Sequence, residues 1–267
     1  MLKENLPGKI FNISVISILS LLVFYFLALI FSQISFLSIR TFFPLLISKD
    51  VLFSIGLSLF TATIASVLAN IIAIPSAYAI SRYEFFGKDI IDTIIDIPIL
   101  LSPVALGTLI LMFFNTRAGT FIQNNFVDFI FSVKGIILAQ WTVTVALAVK
   151  ILKSVFDSIN PRYESVARSL GSSRMGAFFK ITLPIAKNGI MTSFILTWAR
   201  ALGEFGASVM VAGAMKGKTD TLPIGIYLSI ASFDLEKAVV LITILIFISF
   251  VILIIFKKVV KKEGWHV

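Results

Sequence analysis

Long uncharged apolar stretches restrict the fold of this chain more than any other feature of its sequence. A helix needs about 20 mostly apolar residues to cross the hydrocarbon core of a bilayer, and residues 11–34 and 51–81 contain no charged side chain. Charged residues make up only 14% of the 267 positions, against about 25% in soluble domains. The sequence therefore predicts a multi-pass membrane protein.

Four further apolar stretches bring the predicted number of transmembrane helices to six, so the predicted fold class is an all-α membrane protein. The fourth stretch extends past Lys150, and the fifth contains Arg200 and Glu204. The first stretch is expected to be retained as a span, because no small-residue cleavage site of a signal peptide follows it. The predicted spans are residues 11–34, 51–81, 97–116, 135–149, 185–215 and 238–256.

Basic residues accumulate on one set of the connections between these spans. Fourteen lysine and arginine residues lie on the side that holds both termini, and seven lie on the opposite side. Because cytoplasmic connections carry the excess of basic residues, both termini are predicted in the cytoplasm, with residues 153–187 as the largest cytoplasmic connection. The net charge of +9 then reflects topology in a lipid bilayer, and no nucleic-acid partner is expected.

The residues that most metal and redox sites require are scarce. Cysteine is absent and the one histidine is His266, so disulfides and sites built from cysteine or histidine are not expected. Asp89, Asp92 and Asp96 fall at helical spacing. We expect them on one solvated face at the start of the third span, where acids suit a helix N-terminus. No metal site is predicted.

Residues 157–184 form an unusual cytoplasmic connection, with the sequence DSINPRYESVARSLGSSRMGAFFKITLP. Asn160 and Pro161 suit the start of a helix, and Gly171 suits its end. The two serines after Gly171 are suited to cap a second helix, and Pro184 is expected to end the element. The predicted structure is a short helix, a tight turn and a second short helix across the cytoplasmic surface.

A known signature matches six residues of this connection, Glu164, Ala167, Gly171, Ile181, Leu183 and Pro184. The pattern resembles the "EAA" signature of ABC-importer permeases, from which the chain departs at Ser165 and Val166, where the family usually has alanines. The resemblance implies a coupling helix between spans four and five that docks on an ATP-hydrolysing subunit. Arg168 joins the six predicted coupling residues, and Glu164 and Gly171 would fix the docking. The alternative is an amphipathic surface helix without a special role.

The sequence contains no Walker-A pattern, G-x-x-x-x-G-K-[ST]. By the resemblance, ATP and Mg²⁺ bind to a separate ATPase partner. This chain is expected to bind no cofactor and to catalyse no reaction of its own.

Charged and small residues interrupt the fifth predicted span. Arg200 and Glu204 are four residues apart and would share one face of a helix, and Ser208 follows one turn later. Intramembrane charges either pair and hold a bundle together or line a transport route. Both interpretations remain open: a structural ion pair, or a gate in the translocation pathway.

The third predicted span contains two prolines, Pro98 and Pro103. Each removes a backbone donor and favours a kink. Ser102 and Thr108 are suited to satisfy the freed backbone groups or to face a polar route. The span is predicted to be either a kinked structural helix or part of a broken-helix substrate path.

Four short segments resemble the oxyanion branch of these permeases, which imports molybdate, tungstate or sulfate. They are residues 96–98, 102–107, 199–207 and 221–227. The resemblance implies the type I ABC-importer permease fold, an external substrate-binding protein and a dimer of two identical chains. Molybdate or tungstate is the expected substrate. The alternatives are a sulfate or thiosulfate permease and, from a different class, an ion-coupled secondary transporter.

The predicted organisation has three parts. Residues 1–45 hold an N-terminal segment and the first span, residues 46–257 form the permease core, and residues 258–267 form a basic cytoplasmic tail. The expected location is the cytoplasmic membrane.

Overall fold

The computed structural model describes residues 6–36 and 38–262, and its regular structure is helical throughout these ranges. Predictions that concern Lys3 and His266 lie outside them. A 3-10 turn covers Gln33–Phe36, and a π-helical segment covers Phe178–Thr182. The α-helices are α1 (Leu6–Ser32), α2 (Ile39–Leu46), α3 (Lys49–Arg82), α4 (Lys88–Leu100), α5 (Pro103–Phe114), α6 (Arg117–Asn125), α7 (Val133–Ser158), α8 (Arg162–Ser169), α9 (Arg174–Ala177), α10 (Leu183–Leu202), α11 (Gly206–Ala212), α12 (Leu222–Ala231) and α13 (Leu235–Lys262).

Four of the described helices are long and apolar enough to cross a bilayer by themselves. They contain the segments Phe11–Ser32, Lys49–Arg82, Val133–Ser158 and Leu235–Ile254. Two further spans are each made of two helices that meet at a sharp bend. The first pair is α4 and α5, and the second is the continuous helix Arg174–Leu202, which includes α10, and α11. The described residues therefore give six spans when each bent pair counts as one.

The third predicted span, residues 97–116, is not one continuous helix. The axes of α4 and α5 differ by 111°, because Pro103 has no N–H to continue the preceding turn. Ser102 is the N-cap of α5, and its hydroxyl accepts a hydrogen bond from the Ala105 N–H at 3.3 Å. Pro98 lies inside α4 without breaking it. The prolines predict a kink within one helix, whereas in the structure two separate helices, α4 and α5, meet at 111°.

The acidic face of α4 is partly paired rather than simply solvated, which corrects the expectation from the sequence. The ammonium group of Lys150, on α7, lies 2.8 Å from a carboxylate oxygen of Asp96 and 3.2 Å from one of Asp92. Asp89 does lie in the first turn of α4, as predicted. A charge inside a span is costly unless it is paired. The ion pairs of Lys150 with Asp92 and Asp96 satisfy this charge and hold α4 against α7.

The centre of the bundle is the contact between α3 and α7. Ala69, Ala73 and Ala77 of α3 are fully buried and pack in one cluster with Ala148 of α7. Small residues at a helix interface allow close backbone approach, which drives packing where the surrounding lipid is itself apolar. In contrast, the described side chains of α1 are exposed along its length.

Candidate coupling and translocation sites

Residues 157–184 have the predicted short helix and turn, followed by the start of a second helix. The Asn160 side chain accepts a hydrogen bond from the Arg162 N–H at 3.0 Å and so caps α8. Gly171 ends α8 with φ +89°, in the left-handed region that favours glycine. Ser173 then caps α9 by accepting from the Gly176 N–H at 3.0 Å.

Pro184 does not end this element, which corrects the sequence interpretation. From Arg174 the chain runs as one continuous helix to Leu202, through α9, the π-helical segment and α10. Pro184 lies in the first turn of α10, where the extra residue of the preceding π turn accommodates its missing N–H. The second helix of this element is therefore the start of the long helix that forms the first part of the fifth span, and Ile181 and Leu183 lie within it.

Glu164 faces into the protein, toward α3 and the π-helical segment. Its carboxylate accepts hydrogen bonds from the Tyr78 hydroxyl at 2.8 Å, the Thr182 hydroxyl at 2.7 Å and the Arg82 Nε at 3.2 Å. Burial by itself raises the pKa of this carboxyl, but the hydrogen bonds from Thr182, Tyr78 and Arg82 outweigh burial and hold that pKa below its ordinary value. Glu164 thus joins α8 to α3 and to the start of α10.

The opposite face of the element is apolar and open. Tyr163, Val166 and Leu170 are exposed and lie at helical spacing on α8, and Met175 of α9 is exposed beside the turn. We call these four residues the apolar ridge. Exposed apolar patches of this kind mark surfaces that contact another protein or a membrane.

Basic side chains border the ridge. A polar cleft of about 250 Å³ lies between α8, α9 and the end of α3. It is lined by Arg168 and Arg174 together with the Glu164 group. Ala167 is half-buried on the inner side of α8. Of the predicted coupling residues, Glu164 faces inward and Arg168 lines this cleft. The four residues of the apolar ridge were not among those predicted.

The fifth predicted span is broken, and Glu204 lies in the break. Helix α10 ends at Leu202 and α11 begins at Gly206, with a bend of 61°. The interpretation that Arg200 and Glu204 share the face of one helix is therefore wrong, although they do meet. A guanidinium nitrogen of Arg200 lies 2.6 Å from one carboxylate oxygen of Glu204. The other oxygen accepts a hydrogen bond from the Ala207 N–H at 2.9 Å.

The breaks in the third and fifth spans lie against each other. A side-chain carbon at Gly206 would stand 3.0 to 3.1 Å from atoms of Pro103 and Val104, and one at Gly107 would stand 2.8 Å from the Ala207 Cα. Pro103, a predicted pathway residue of one break, thus packs against Gly206, two residues after Glu204 in the other.

The hydroxyl groups of two other predicted pathway residues, Thr108 and Ser208, differ in their hydrogen bonding. The Thr108 hydroxyl donates to the Val104 carbonyl at 2.9 Å, which satisfies a backbone group in the way that the sequence interpretation allowed. The Ser208 hydroxyl is buried on α11 and has no hydrogen-bond partner among the described residues.

Sequence reasoning missed the groups that hold Glu164. Tyr78 lies inside an apolar run, and Arg82 was visible only as a topology signal at the end of a span. Thr182 lies 18 residues after Glu164 and carries no motif of its own. These contacts join distant parts of the chain, so no local spacing could have indicated them.

Comparison with known proteins places this architecture in a family. Residues 66–263 match the family model described as "binding-protein-dependent transport system inner membrane component". The chain belongs to this family. The permease is 33% identical over 252 residues to the probable transport system permease protein NifC of Clostridium pasteurianum, an alignment that covers 92% of this chain and 87% of that one.

Two further relatives carry substrate names. The probable molybdenum ABC transporter permease protein of Haloferax volcanii is 38% identical over 181 residues, covering 68% of this chain and 65% of the relative. The sulfate transport system permease protein CysW of Synechocystis is 28% identical over 274 residues, covering 100% and 99%.

Solved structures show the fold of the permease. A chain of a bacterial ABC transporter that imports the polysaccharide alginate superposes with a TM-score of 0.77 at 17% identity, covering 95% of both chains. The fold is that of ABC-importer permeases, as predicted. The permease is a multi-pass membrane subunit of an ABC importer.

Proposed function

We propose that the permease imports a tetrahedral oxyanion, molybdate or tungstate rather than sulfate, across the cytoplasmic membrane as one half of a dimer of identical chains. The observation that carries this proposal is the similarity, at 28 to 38% identity, to permeases named for molybdenum and for sulfate. Residues 199–207 and 221–227 carry the same oxyanion-branch pattern. The sulfate relative matches the whole chain, so sulfate or thiosulfate is the second candidate substrate.

The apolar ridge is the proposed docking surface for the ATPase subunit. It combines four exposed apolar side chains with the basic groups of Arg168 and Arg174, on an element that Glu164 anchors to two spans. A packed helix moves as a rigid piece, so closure of the ATPase pair would move α8 and the spans together. ATP and Mg²⁺ would bind to that subunit, and the permease would carry out no covalent chemistry.

An external binding protein would deliver the anion, and both termini would lie in the cytoplasm. The excess of basic residues on the side that holds α8 and α9 supports this orientation. The ion-coupled alternative depends on Glu204 as the coupling acid. The contacts of Glu204 with Arg200 and with the Ala207 N–H favour a positioning role instead.

Reconstitution tests the proposal. Proteoliposomes that contain the permease with its ATPase and binding protein should take up radiolabelled molybdate only when ATP and the binding protein are both supplied. Calorimetry of the binding protein should rank molybdate and tungstate above sulfate, and the purified complex should contain two copies of this chain. Preference for a sugar or an amino acid would contradict the oxyanion assignment. ATP-independent uptake driven by an ion gradient would contradict the importer.

A further inference from the structure

Arg200 is an unusually placed cation. It lies three residues before the break in the fifth span, and 37% of its side chain is exposed, whereas the Glu204 side chain is 1% exposed. Leu196, one turn before Arg200 on α10, and Gly203, directly after the end of α10, are exposed too. The guanidinium therefore lies between a buried carboxylate on one side and an open face on the other.

Glu204 holds Arg200 in place. One carboxylate oxygen is fixed by the Ala207 N–H at 2.9 Å, so the carboxylate is held by α11. The other oxygen contacts a single terminal nitrogen of Arg200 at 2.6 Å. A guanidinium has five N–H donors in a planar fork, so most of its donors remain for a ligand on the exposed side.

The open face of Arg200 is bordered by the apolar side chain of Leu196 and by a backbone without a side chain at Gly203. Ser102, at the adjacent break, is exposed. The contact of Gly206 with Pro103 and Val104 brings the two breaks together. A charge within a span marks a transport route when it faces a cavity, and broken helices are where transporters place their substrate contacts.

We propose that Arg200 is a contact for the transported oxyanion at the junction of the two broken spans, and that Glu204 keeps this contact weak. The inference rests on the proposed function and names its contact residue. A guanidinium matches a tetrahedral oxyanion through paired N–H donors. A transport site must bind strongly enough to admit an ion and weakly enough to release it, and the carboxylate of Glu204 offsets part of the positive charge.

Chemical protection tests the contact directly. The permease–ATPase complex, without binding protein, is treated with the arginine reagent phenylglyoxal at increasing concentrations of molybdate, and adducts are quantified by mass spectrometry. Modification of Arg200 should fall with molybdate, while that of Arg117, an exposed arginine at the start of α6, should not change. Equal rates with and without molybdate, or no modification of Arg200 at all, would overturn the proposal.

Variants separate a contact from a structural ion pair. With loaded binding protein in excess, Arg200→Gln should lower molybdate uptake per ATP hydrolysed by about tenfold, the effect of one lost charge-assisted hydrogen bond. Arg200→Lys should retain part of the uptake, and Arg117→Gln should retain all of it. Glu204→Gln should lower the molybdate concentration that half-protects Arg200 while slowing uptake.

The outcomes distinguish failure of the Arg200 contact from failure of the proposed importer function. If Arg200→Gln lowers only the amount and thermal stability of the complex, and molybdate does not protect Arg200 in the unaltered protein, the ion pair is structural and the oxyanion importer stands. If the unaltered transporter takes up no oxyanion, the proposed function and this inference both fail. Protection together with a specific loss of uptake would support both.

Discussion

The guanidinium of Arg82, the last residue of α3, lies 3.2 Å from the carboxylate of Glu164 in α8. Both side chains are largely buried, and the same carboxylate receives hydrogen bonds from Tyr78 and Thr182. One acidic group therefore joins the second span, α8 and the end of the fifth span that follows α9. A force applied to α8 by a partner would reach two spans without passing through a flexible loop.

Replacing Glu164 should break this junction. Glu164→Ala leaves Arg82 without its carboxylate partner, which costs on the order of 2 kcal/mol for a partly buried pair. We expect binding-protein-stimulated ATP hydrolysis and substrate uptake to fall together, measured in proteoliposomes. Glu84→Gln is the matched control, because it removes an exposed acid that pairs with Lys88 on the surface. Equal effects of the two substitutions would contradict the role of the junction.

Acid should weaken the same junction. Because the pKa of Glu164 lies below its ordinary value of 4.5, its ionised form contributes stability that is fully present above pH 4.5 and is lost as the pH falls through the lower folded-state value. The thermal unfolding midpoint of the unaltered permease should therefore exceed that of Glu164→Gln at neutral pH. The difference should shrink at strongly acidic pH. A constant difference across this range would contradict the assignment.

Much of this architecture could be predicted from the sequence because hydropathy and punctuation are local signals. The span count, the caps at Asn160 and Ser173 and the turn at Gly171 each depend on residues within a few positions of one another. The angles at the two broken spans could not be predicted in this way. A proline or glycine indicates where a helix can be interrupted, but packing of α5 on α11 sets the direction of the next segment.

The candidate site was less predictable than the fold. Glu164 was recognised by its motif, yet the direction it faces depends on Tyr78 and Arg82, more than 80 residues earlier in the chain. Glu204 was assigned to a helix face, whereas it lies in a break and caps the next helix. Long-range contacts decide which way Glu164 faces. The role of Glu204 depends on the break between α10 and α11, which its spacing from Arg200 does not reveal.

The coupling turn should tolerate no side chain at Gly171. Its φ of +89° costs a residue with a Cβ about 1–2 kcal/mol, although there is open space around it. Gly171→Ala should lower uptake per ATP hydrolysed, because the turn that orients α8 against α9 is strained. Gly87→Ala is the matched control, since Gly87 has φ +79° and equally open surroundings outside this element. If Gly87→Ala lowers uptake as much, the effect is general strain rather than coupling.

The contact between the two broken spans should be sensitive to a single methyl group. A Cβ at Gly107 would lie 2.7 Å from the Met210 Cβ and 2.8 Å from the Ala207 Cα, so α5 and α11 must move apart to admit it. Overpacking of this kind costs about 1–3 kcal/mol, and the thermal unfolding midpoint of Gly107→Ala should fall. Gly56→Ala is the control, because no atom lies within 4 Å of that position and alanine is the better helix former. An unchanged midpoint in Gly107→Ala would show that the two breaks are not packed together in the folded permease.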